Sequence, residues 1–331
     1  MLRATTVCLA LAVAHTTFAQ TGAPLLLKPF DKGTTAELQA QSMSLASGSN
    51  TDADDQDFDL SLYDVSGRFT SAAGSELGKH LDGAALAIGF DFTYLSTDLE
   101  DSTTFPDQFV DQSVSIGMTG IKLSEWEISW QVGLGYAGTA PFGDGDAYYG
   151  LATLAGTRVL SREPGRFEAL TILLDYDGNR SVFPDVPLPG FVYTKQVDEK
   201  LTLNLGFPFL GVTWKPIDKL TIDVLYAIPD FTQIRVGYDL TERLALFASL
   251  DSRTEAFHSN DLDNNLDRIL FSQRRAELGI EYELWSQARF QIAGGYAFAQ
   301  EFTQGFDARD DDEIFEPSDE PYLRTSLEVK W

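Results

Sequence analysis

Hydrophobic and polar residues alternate at every second position over long stretches of the chain. Between Glu125 and Gly138, in EWEISWQVGLGYAG, aromatic and aliphatic residues are separated by single polar residues or glycines. Such alternation predicts an extended strand with one apolar and one polar face. In a soluble sandwich the apolar face would pack on a protein core, whereas in a transmembrane barrel it would face lipid. The pattern recurs at 86–94, 170–176, 201–207, 220–226, 234–238, 276–282 and 290–298.

The connections between these rows alternate in length. Short connections lie near 122–124, 161–165, 197–200, 215–218, 239–242 and 283–287, and long, polar ones near 96–109, 138–146, 177–187, 252–268 and 302–320. This alternation predicts an all-β fold, a single antiparallel transmembrane β-barrel with short periplasmic turns and longer acidic extracellular loops. About fifteen strands follow from Phe58 onward, and a weakly patterned segment at Glu37–Ser47 would add one, so we predict about 12 to 16 strands. The short connection at Gly206–Pro208 lies at the long-loop rim and fits this scheme poorly.

The N-terminus has the features of a secretory signal peptide. Arg3 precedes an apolar run from Val7 to Ala14, and Thr17 and Ala19 supply the small residues of a cleavage site. We therefore predict a signal peptide at 1–19, a periplasmic arm at 20–35 and an outer-membrane barrel at 36–331. The chain's one cysteine would leave with the signal peptide, which excludes disulfides and thiolate metal sites from the mature protein.

The last residues, YLRTSLEVKW, form a further alternating row that ends in an aromatic residue. Here the chain resembles Gram-negative outer-membrane β-barrel proteins, whose closing strand typically ends in an aromatic residue. The resemblance implies an outer-membrane location and recognition of this strand by the barrel-assembly machinery. The familiar terminal residue is Phe, so Trp331 departs from that pattern. A secreted β-sandwich, whose apolar rows would face a protein core, is the alternative fold.

Strand parity assigns the charged residues of these rows to the interior of the barrel. Acidic residues outnumber basic ones there, which favours a passive, porin-like channel for small hydrophilic solutes or ions with mild cation preference. The alternative is a closed barrel whose charges pair across strands, or one plugged by the N-terminal arm or the 206–208 region. The predicted lumen-lining residues are Asp91, Glu127, Gln131, Asp175, Asp223, Arg235, Asp239, Arg275, Glu277, Glu281, Arg289, Arg324 and Glu328. The predicted lipid-facing or girdle residues are Trp126, Trp130, Tyr136, Tyr226, Tyr282, Phe290 and Trp331.

Other chemistry has little support in the sequence. The net charge of −26 argues against nucleic acid as a partner, and no cofactor is expected. Acidic loops would contact lipopolysaccharide through Ca²⁺ or Mg²⁺, with Asp261, Asp263 and Asp267 as candidate ligands, or would simply be solvated. A hydrolase using His258 or His80 is a third reading, but we expect no enzyme. The expected partners are outer-membrane lipids, lipopolysaccharide, the assembly machinery and small solutes.

Overall fold

The structure is a computed structural model that describes residues 35–46, 48–49, 57–70, 84–99, 105–227, 231–260, 262, 264 and 266–331. Regular structure within these ranges consists of β-strands. In this part of the chain we find no helix with the length and apolarity needed to cross a membrane. The predicted signal peptide, and the predicted arm up to residue 34, lie outside the described residues.

Eighteen strands follow one another along the described chain. The first nine are β1 Ala36–Leu45, β2 Gly48–Ser49, β3 Asp57–Thr70, β4 Ala85–Leu99, β5 Gln108–Leu123, β6 Trp126–Gly138, β7 Tyr148–Glu163, β8 Arg166–Asp177 and β9 Leu188–Gln196. The remaining nine are β10 Leu201–Phe207, β11 Phe209–Ile217, β12 Leu220–Ala227, β13 Phe231–Asp239, β14 Leu244–His258, β15 Arg268–Trp285, β16 Ala288–Gly305, β17 Asp311–Phe315 and β18 Glu320–Lys330.

The strands form one closed antiparallel sheet. Each long strand pairs with its neighbours along the chain, and β1 pairs with both β18 and β3, so sixteen strands close a ring. The ring is sealed at its base, where the Trp331 carbonyl accepts hydrogen bonds from the Thr35 and Ala36 amides at 2.7 and 2.9 Å. The short β2 and β17 extend the wall at one rim. The predicted fold class and strand range are confirmed, and Glu37–Ser47 supplies the additional strand as β1.

The outer face of the barrel is apolar over a broad band. On β15 Leu278 is 71% exposed, and Val114, Leu134 and Leu323 on other strands exceed half exposure. Their neighbours along each strand, such as Gln131 and Glu277, are buried inside the ring. A soluble protein rarely exposes a continuous apolar surface of this kind, whereas lipid requires it. The apolar side chains of the alternating rows therefore face outward.

Short turns lie at one rim and longer connections at the other, as predicted. In the β7–β8 turn Pro164 precedes Gly165, whose positive φ of 75° is the conformation that the third residue of a type II turn requires. Three predicted long loops are partly strand: 96–99 and 108–109 belong to β4 and β5, β14 continues to His258, and 302–305 and 311–315 belong to β16 and β17. The Gly206–Pro208 connection is a tight β10–β11 turn with a cis Phe207–Pro208 bond, too short to fold into the interior as a plug.

The strands extend beyond the apolar band at the long-loop rim, and there the polarity of their faces reverses. On β3 Asp57 and Asp59 point outward and are exposed, while Phe58 and Leu60 are 3% and 2% exposed inside the ring. Phe302 of β16 stacks on Phe271 and contacts other rings of this group. We call this group the inner apolar cluster: Met43, Phe58, Leu60, Leu62, Leu95, Phe109, Ala137, Phe257, Ile269, Phe271, Ala297, Phe302, Phe315 and Tyr322.

A charged residue on the outer band should destabilise the barrel according to its depth. We expect Leu278→Arg, in the middle of β15, to lower the free energy of unfolding in lipid vesicles by about 2–4 kcal/mol. The matched control Leu284→Arg lies beside the short-turn rim and should cost at most about 1 kcal/mol. Urea titration measures the free energy of unfolding of both variants, with the folded fraction read from its mobility in a gel. Equal losses would contradict the placement of the band.

Candidate functional site

The barrel interior is crossed by a buried ion pair between strands that are not neighbours. Arg253 of β14 donates two hydrogen bonds to the carboxylate of Asp64 on β3, at 3.0 and 3.1 Å. Four strands, β15, β16, β18 and β1, separate β14 from β3 around the ring. The two side chains are 8% and 1% exposed. The walls of the barrel therefore approach each other closely enough for one arginine to span the interior, and we call these two residues the cross-barrel pair.

Polar side chains from three strands complete the environment of the cross-barrel pair. Gln41 of β1 donates to Asp64 at 2.5 Å, and the Thr93 hydroxyl of β4 donates to it at 2.7 Å. Glu255, two residues beyond Arg253 on the same face of β14, forms a second ion pair with its guanidinium. A bidentate guanidinium–carboxylate contact with further hydrogen bonds fixes both groups in position. The interior is thus constricted by a connected group of polar side chains.

A second set of ion pairs lines the wall formed by β13–β16 and β18. Arg275 contacts Asp251 at 2.5 Å, and Arg324 contacts Glu277 at 2.6 Å, both pairs being buried. Glu277 also accepts hydrogen bonds from Ser249 and Tyr322. Nearer the short-turn rim Glu281 accepts from Arg235 at 3.1 Å. Acidic and basic groups therefore alternate around this wall.

The opposite wall, β7–β12, carries smaller polar residues that bond to the neighbouring strand. Thr153 donates to Asp175, Thr194 to Asn204 and Thr213 to Asp223, each at 2.7–2.8 Å. Because these bonds lie along the wall, they draw the side chains away from the centre. The interior therefore has a charged side and a hydroxyl-rich side.

Mid-height interior residues are almost completely shielded. Gln131 on β6 and Gln233 on β13 are each 1% exposed, and their amide atoms have no hydrogen-bond partner among the described residues. Thr171 and Thr194 on the hydroxyl-rich side are 5% and 3% exposed. A wide water-filled pore would leave such groups accessible. The interior of the barrel is therefore closely packed around these residues, and it contains amide groups with free hydrogen-bonding capacity.

The structure brings together several predicted lumen residues. Arg235, Glu281 and Arg289 form one chain of contacts, and Glu277 and Arg324 form another. Asp175 binds Arg180 at 2.5 Å. Glu127 and Asp239 lie at the short-turn rim, where Glu127 pairs with Lys122 and is half exposed. The others of the set stand on inward positions of their strands: Asp91, Gln131, Asp223, Arg275 and Glu328.

The predicted girdle residues are exposed or partly exposed with one exception. Tyr226, Tyr282, Phe290 and Trp331 are 37–47% exposed, and Trp126 and Trp130 are intermediate. Tyr136 differs from the prediction, since it is 1% exposed. The β6–β7 loop folds over it: its hydroxyl bonds the Ala140 carbonyl and accepts from the Gly143 amide. Sequence parity placed Tyr136 on the outer face but carried no information about this cover.

Of the predicted candidates for catalysis and metal binding, the structure describes His258 and Asp267. His258 is buried, and its Nδ1 pairs with Asp144 of the β6–β7 loop. The backbone of His258 pairs directly with Gly138 at the end of β6, so β14 and β6 meet across the ring. Asp261, Asp263 and His80 lie outside the described residues, and Asp267 accepts from Asn264 at 2.9 Å. Among the described residues no group of three His, Cys, Asp or Glu side chains is arranged to hold a metal ion.

The cross-barrel pair was not among the predicted residues, although a local signal for it exists. Asp251, Arg253 and Glu255 share one parity on β14, and Leu246 and Leu250 share the other. On β3 Asp64 alternates with Tyr63 and Val65 in the same way, although the apolar cluster residues above it obscure the row. Parity therefore points these charges inward. The pairing across the ring depends on how far the walls approach, which periodicity does not encode.

Comparisons with known proteins place the chain only in general terms. A family model described as "Domain of unknown function (DUF6268)" matches residues 196–331. No curated protein matches the sequence.

Among solved structures, a mutant of the monoaromatic hydrocarbon channel TodX matches with a TM-score of 0.44 and 11% identity, covering 94% of this chain and 93% of that one. An outer-membrane channel from Pseudomonas putida F1 matches with 0.38 and 9%, covering 92% and 100%. The translocator domain of the autotransporter NalP from Neisseria meningitidis matches with 0.31 and 10%, covering 90% and 89%. At these TM-scores nothing about cargo passes to this chain.

Removing one member of the cross-barrel pair should destabilise the barrel more than removing both. We expect Arg253→Met to lower the free energy of unfolding by about 3 kcal/mol, because Asp64 and Glu255 keep their buried charge. Adding Asp64→Leu should recover part of that loss. The control Arg289→Met breaks an exposed contact of 3.7 Å to Glu281 and should cost less than about 1 kcal/mol. Additive losses in a double-mutant cycle would show that the pair does not interact in solution.

Proposed function

We propose that this protein is an outer-membrane barrel that passes small hydrophilic solutes or ions through a narrow interior, with mild preference for cations. The observation that carries the proposal is the closed ring with an apolar outer band and a polar interior. A barrel is one of the few structures that satisfies its backbone hydrogen bonds within lipid. The long-loop rim would face outward and the short-turn rim the periplasm, the usual orientation of such barrels.

The interior supports passage of small solutes better than free diffusion of large ones. The cross-barrel pair and the shielded residues around it restrict the passage at mid-height. Solutes would displace or bond to these groups, and the unpaired amides of Gln131 and Gln233 offer hydrogen bonds to a polar solute. Such lining groups select by size and hydrogen bonding. We therefore place this barrel among narrow channels.

The cation preference rests on the balance of interior charge. Among the buried side chains on the described strands seven are carboxylates and five are arginines. Acidic rings favour cations, and opposed charges order water in a passage. We also propose three partners. Lipids and lipopolysaccharide would contact the apolar outer band and the long-loop rim, and the barrel-assembly machinery would recognise the terminal strand that ends in Trp331.

A second candidate function is a closed structural barrel. The near-complete burial of mid-height residues such as Gln131, Gln233 and Thr194 favours it. In that case the ion pairs would serve only to hold the walls together. The two functions differ in one measurable property, the passage of ions through the folded protein.

Planar-bilayer recording of the refolded protein tests the channel. We expect small, stable conductance steps with cation-selective reversal potentials. Glu281→Gln should shift the reversal potential toward anions, because it removes a carboxylate from the interior wall while Arg235 and Arg289 stay charged. Glu242→Gln, in an exposed short turn, is the matched control and should leave selectivity unchanged. Silence from protein shown to be folded would support the closed barrel instead.

A catalytic role for His258 is not part of this proposal. Its ring is tied to Asp144, and its position brings the β6–β7 loop onto β14. We expect neither wild type nor His258→Ala to hydrolyse short-chain nitrophenyl esters or phospholipids in detergent. Hydrolysis by wild type that is lost in His258→Ala, with a Thr254→Ala control unaffected, would reverse this expectation.

A further inference from the structure

One connection at the long-loop rim crosses the mouth of the barrel. The β8–β9 loop, residues 178–187, joins two strands of the hydroxyl-rich wall. Beyond its own wall it contacts β5, β14, β15 and the turn between β16 and β17. Around the ring, six strands separate β9 from β16 in one direction and seven separate β8 from β16 in the other. The loop therefore reaches the side of the mouth opposite its own strands.

Arg268, at the start of β15, forms the first attachment of the loop. Its guanidinium donates to the Asn179 side-chain oxygen at 3.3 Å and to the Arg180 carbonyl at 3.1 Å. The same group donates to the Phe306 carbonyl at 2.8 Å, which joins the loop to the β16–β17 turn. Asn179 is 5% exposed, and its amide donates to the Ala256 carbonyl of β14 at 2.9 Å. The base of the loop thus contacts β14 near the end of that strand at the long-loop rim.

Asp307, in the β16–β17 turn, forms the second attachment. Its carboxylate accepts from the Phe183 amide at 3.3 Å, and the Ala308 amide donates to the Ser181 carbonyl at 2.9 Å. Arg309 bonds Asp307 and lies 3.9 Å from the centre of the Phe183 ring. Burial would raise the pKa of the Asp307 carboxyl, but hydrogen bonds from Arg309 and the Phe183 amide outweigh it and hold that pKa below its usual range. Asp307 is therefore charged near neutral pH.

The conformation of the loop depends on these attachments. Phe183 and Asp185 have positive φ values of 56° and 59°, an uncommon conformation for residues with a side chain. Such backbone persists where surrounding contacts hold it in place. Pro184 and Pro187 restrict the adjoining backbone, which favours movement of the segment as one piece. The far end, Asp185–Pro187, is exposed, and Asp185 accepts a hydrogen bond from the Tyr176 hydroxyl of β8 at 2.7 Å.

We propose that the β8–β9 loop is a lid that closes the outer mouth of the barrel, latched to the opposite wall by Arg268 and Asp307, and that its release opens the path to the interior. This inference rests on the proposed channel function and names how that channel is gated. The latch consists of a few charge-assisted hydrogen bonds. The free-energy difference between the closed and open states is therefore small enough for a change in a few contacts to reverse it. The base of the lid bonds Ala256, which is 0% exposed and adjoins Phe257 of the inner apolar cluster.

A disulfide across the latch tests the gating. Ser181→Cys and Ala308→Cys, introduced with Cys8→Ser, place two thiols where the loop backbone meets the opposite turn. In liposomes we expect oxidation to abolish ion flux and dithiothreitol to restore the wild-type rate. The single variants are controls and should not respond to either reagent. Failure of the pair to cross-link, or equal flux in the locked and reduced protein, would overturn the lid.

A labelling measurement detects opening without reliance on flux. Ala256→Cys, again with Cys8→Ser, places a thiol at a position that is 0% exposed and whose backbone carbonyl accepts from Asn179 of the lid. We expect Asp307→Asn to raise its labelling rate by a water-soluble maleimide about tenfold, the order expected from losing one charge-assisted hydrogen bond. The matched control Asp310→Asn changes an exposed aspartate of the same turn and should leave the rate unchanged. Equal rates in the two variants would overturn the latch.

The two measurements separate the lid from the channel. Labelling that responds to Asp307→Asn, in a protein that conducts in no state, would retain the lid and reject the proposed channel. Flux that persists with the lid cross-linked would retain the channel and reject the lid.

Discussion

Closure of the sheet is the constraint on which the rest of this structure depends. An open sheet of this length would leave two edges with unpaired backbone groups, and within lipid such groups have no water to satisfy them. Pairing of β1 with β18 removes both edges, and the Trp331 carbonyl joins the two chain segments at the seam. Once the ring is closed, alternate side chains must point either to lipid or to a shared interior. The apolar band and the polar interior both follow from that division.

The interior is filled in an uneven way because the ring is not a circular tube. Strands β14 and β6 lie on opposite sides of the ring and yet are bridged at His258 and Gly138. That approach lets Arg253 reach Asp64 and lets aromatic rings from opposing strands pack at the long-loop end. Sixteen strands therefore enclose a much narrower space than their number suggests. The narrow interior results from the packing of opposing walls, and the selective passage proposed for this barrel depends on it.

Polar and apolar layers within the barrel have different physical roles. The inner apolar cluster gains stability from removal of its surface from water, whereas each buried charge is tolerated only because it is paired and hydrogen-bonded. Glu277, for example, receives bonds from Arg324, Ser249 and Tyr322. Paired charges of this kind add directional contacts that a purely apolar filling would lack.

The sequence by itself determined the strands and the direction of their faces. The rows around Trp130, Leu278 and Leu323 have a period of two, which is a local property of the chain and requires no knowledge of its neighbours. It did not determine the cover over Tyr136, the reversal of polarity at Phe58, the cross-barrel pair or the lid that reaches Asp307. Each depends on how closely distant segments approach after the ring has closed, and only the tertiary structure decides that distance. Arg253 and Asp64 are 189 positions apart in the chain, so no local pattern links them.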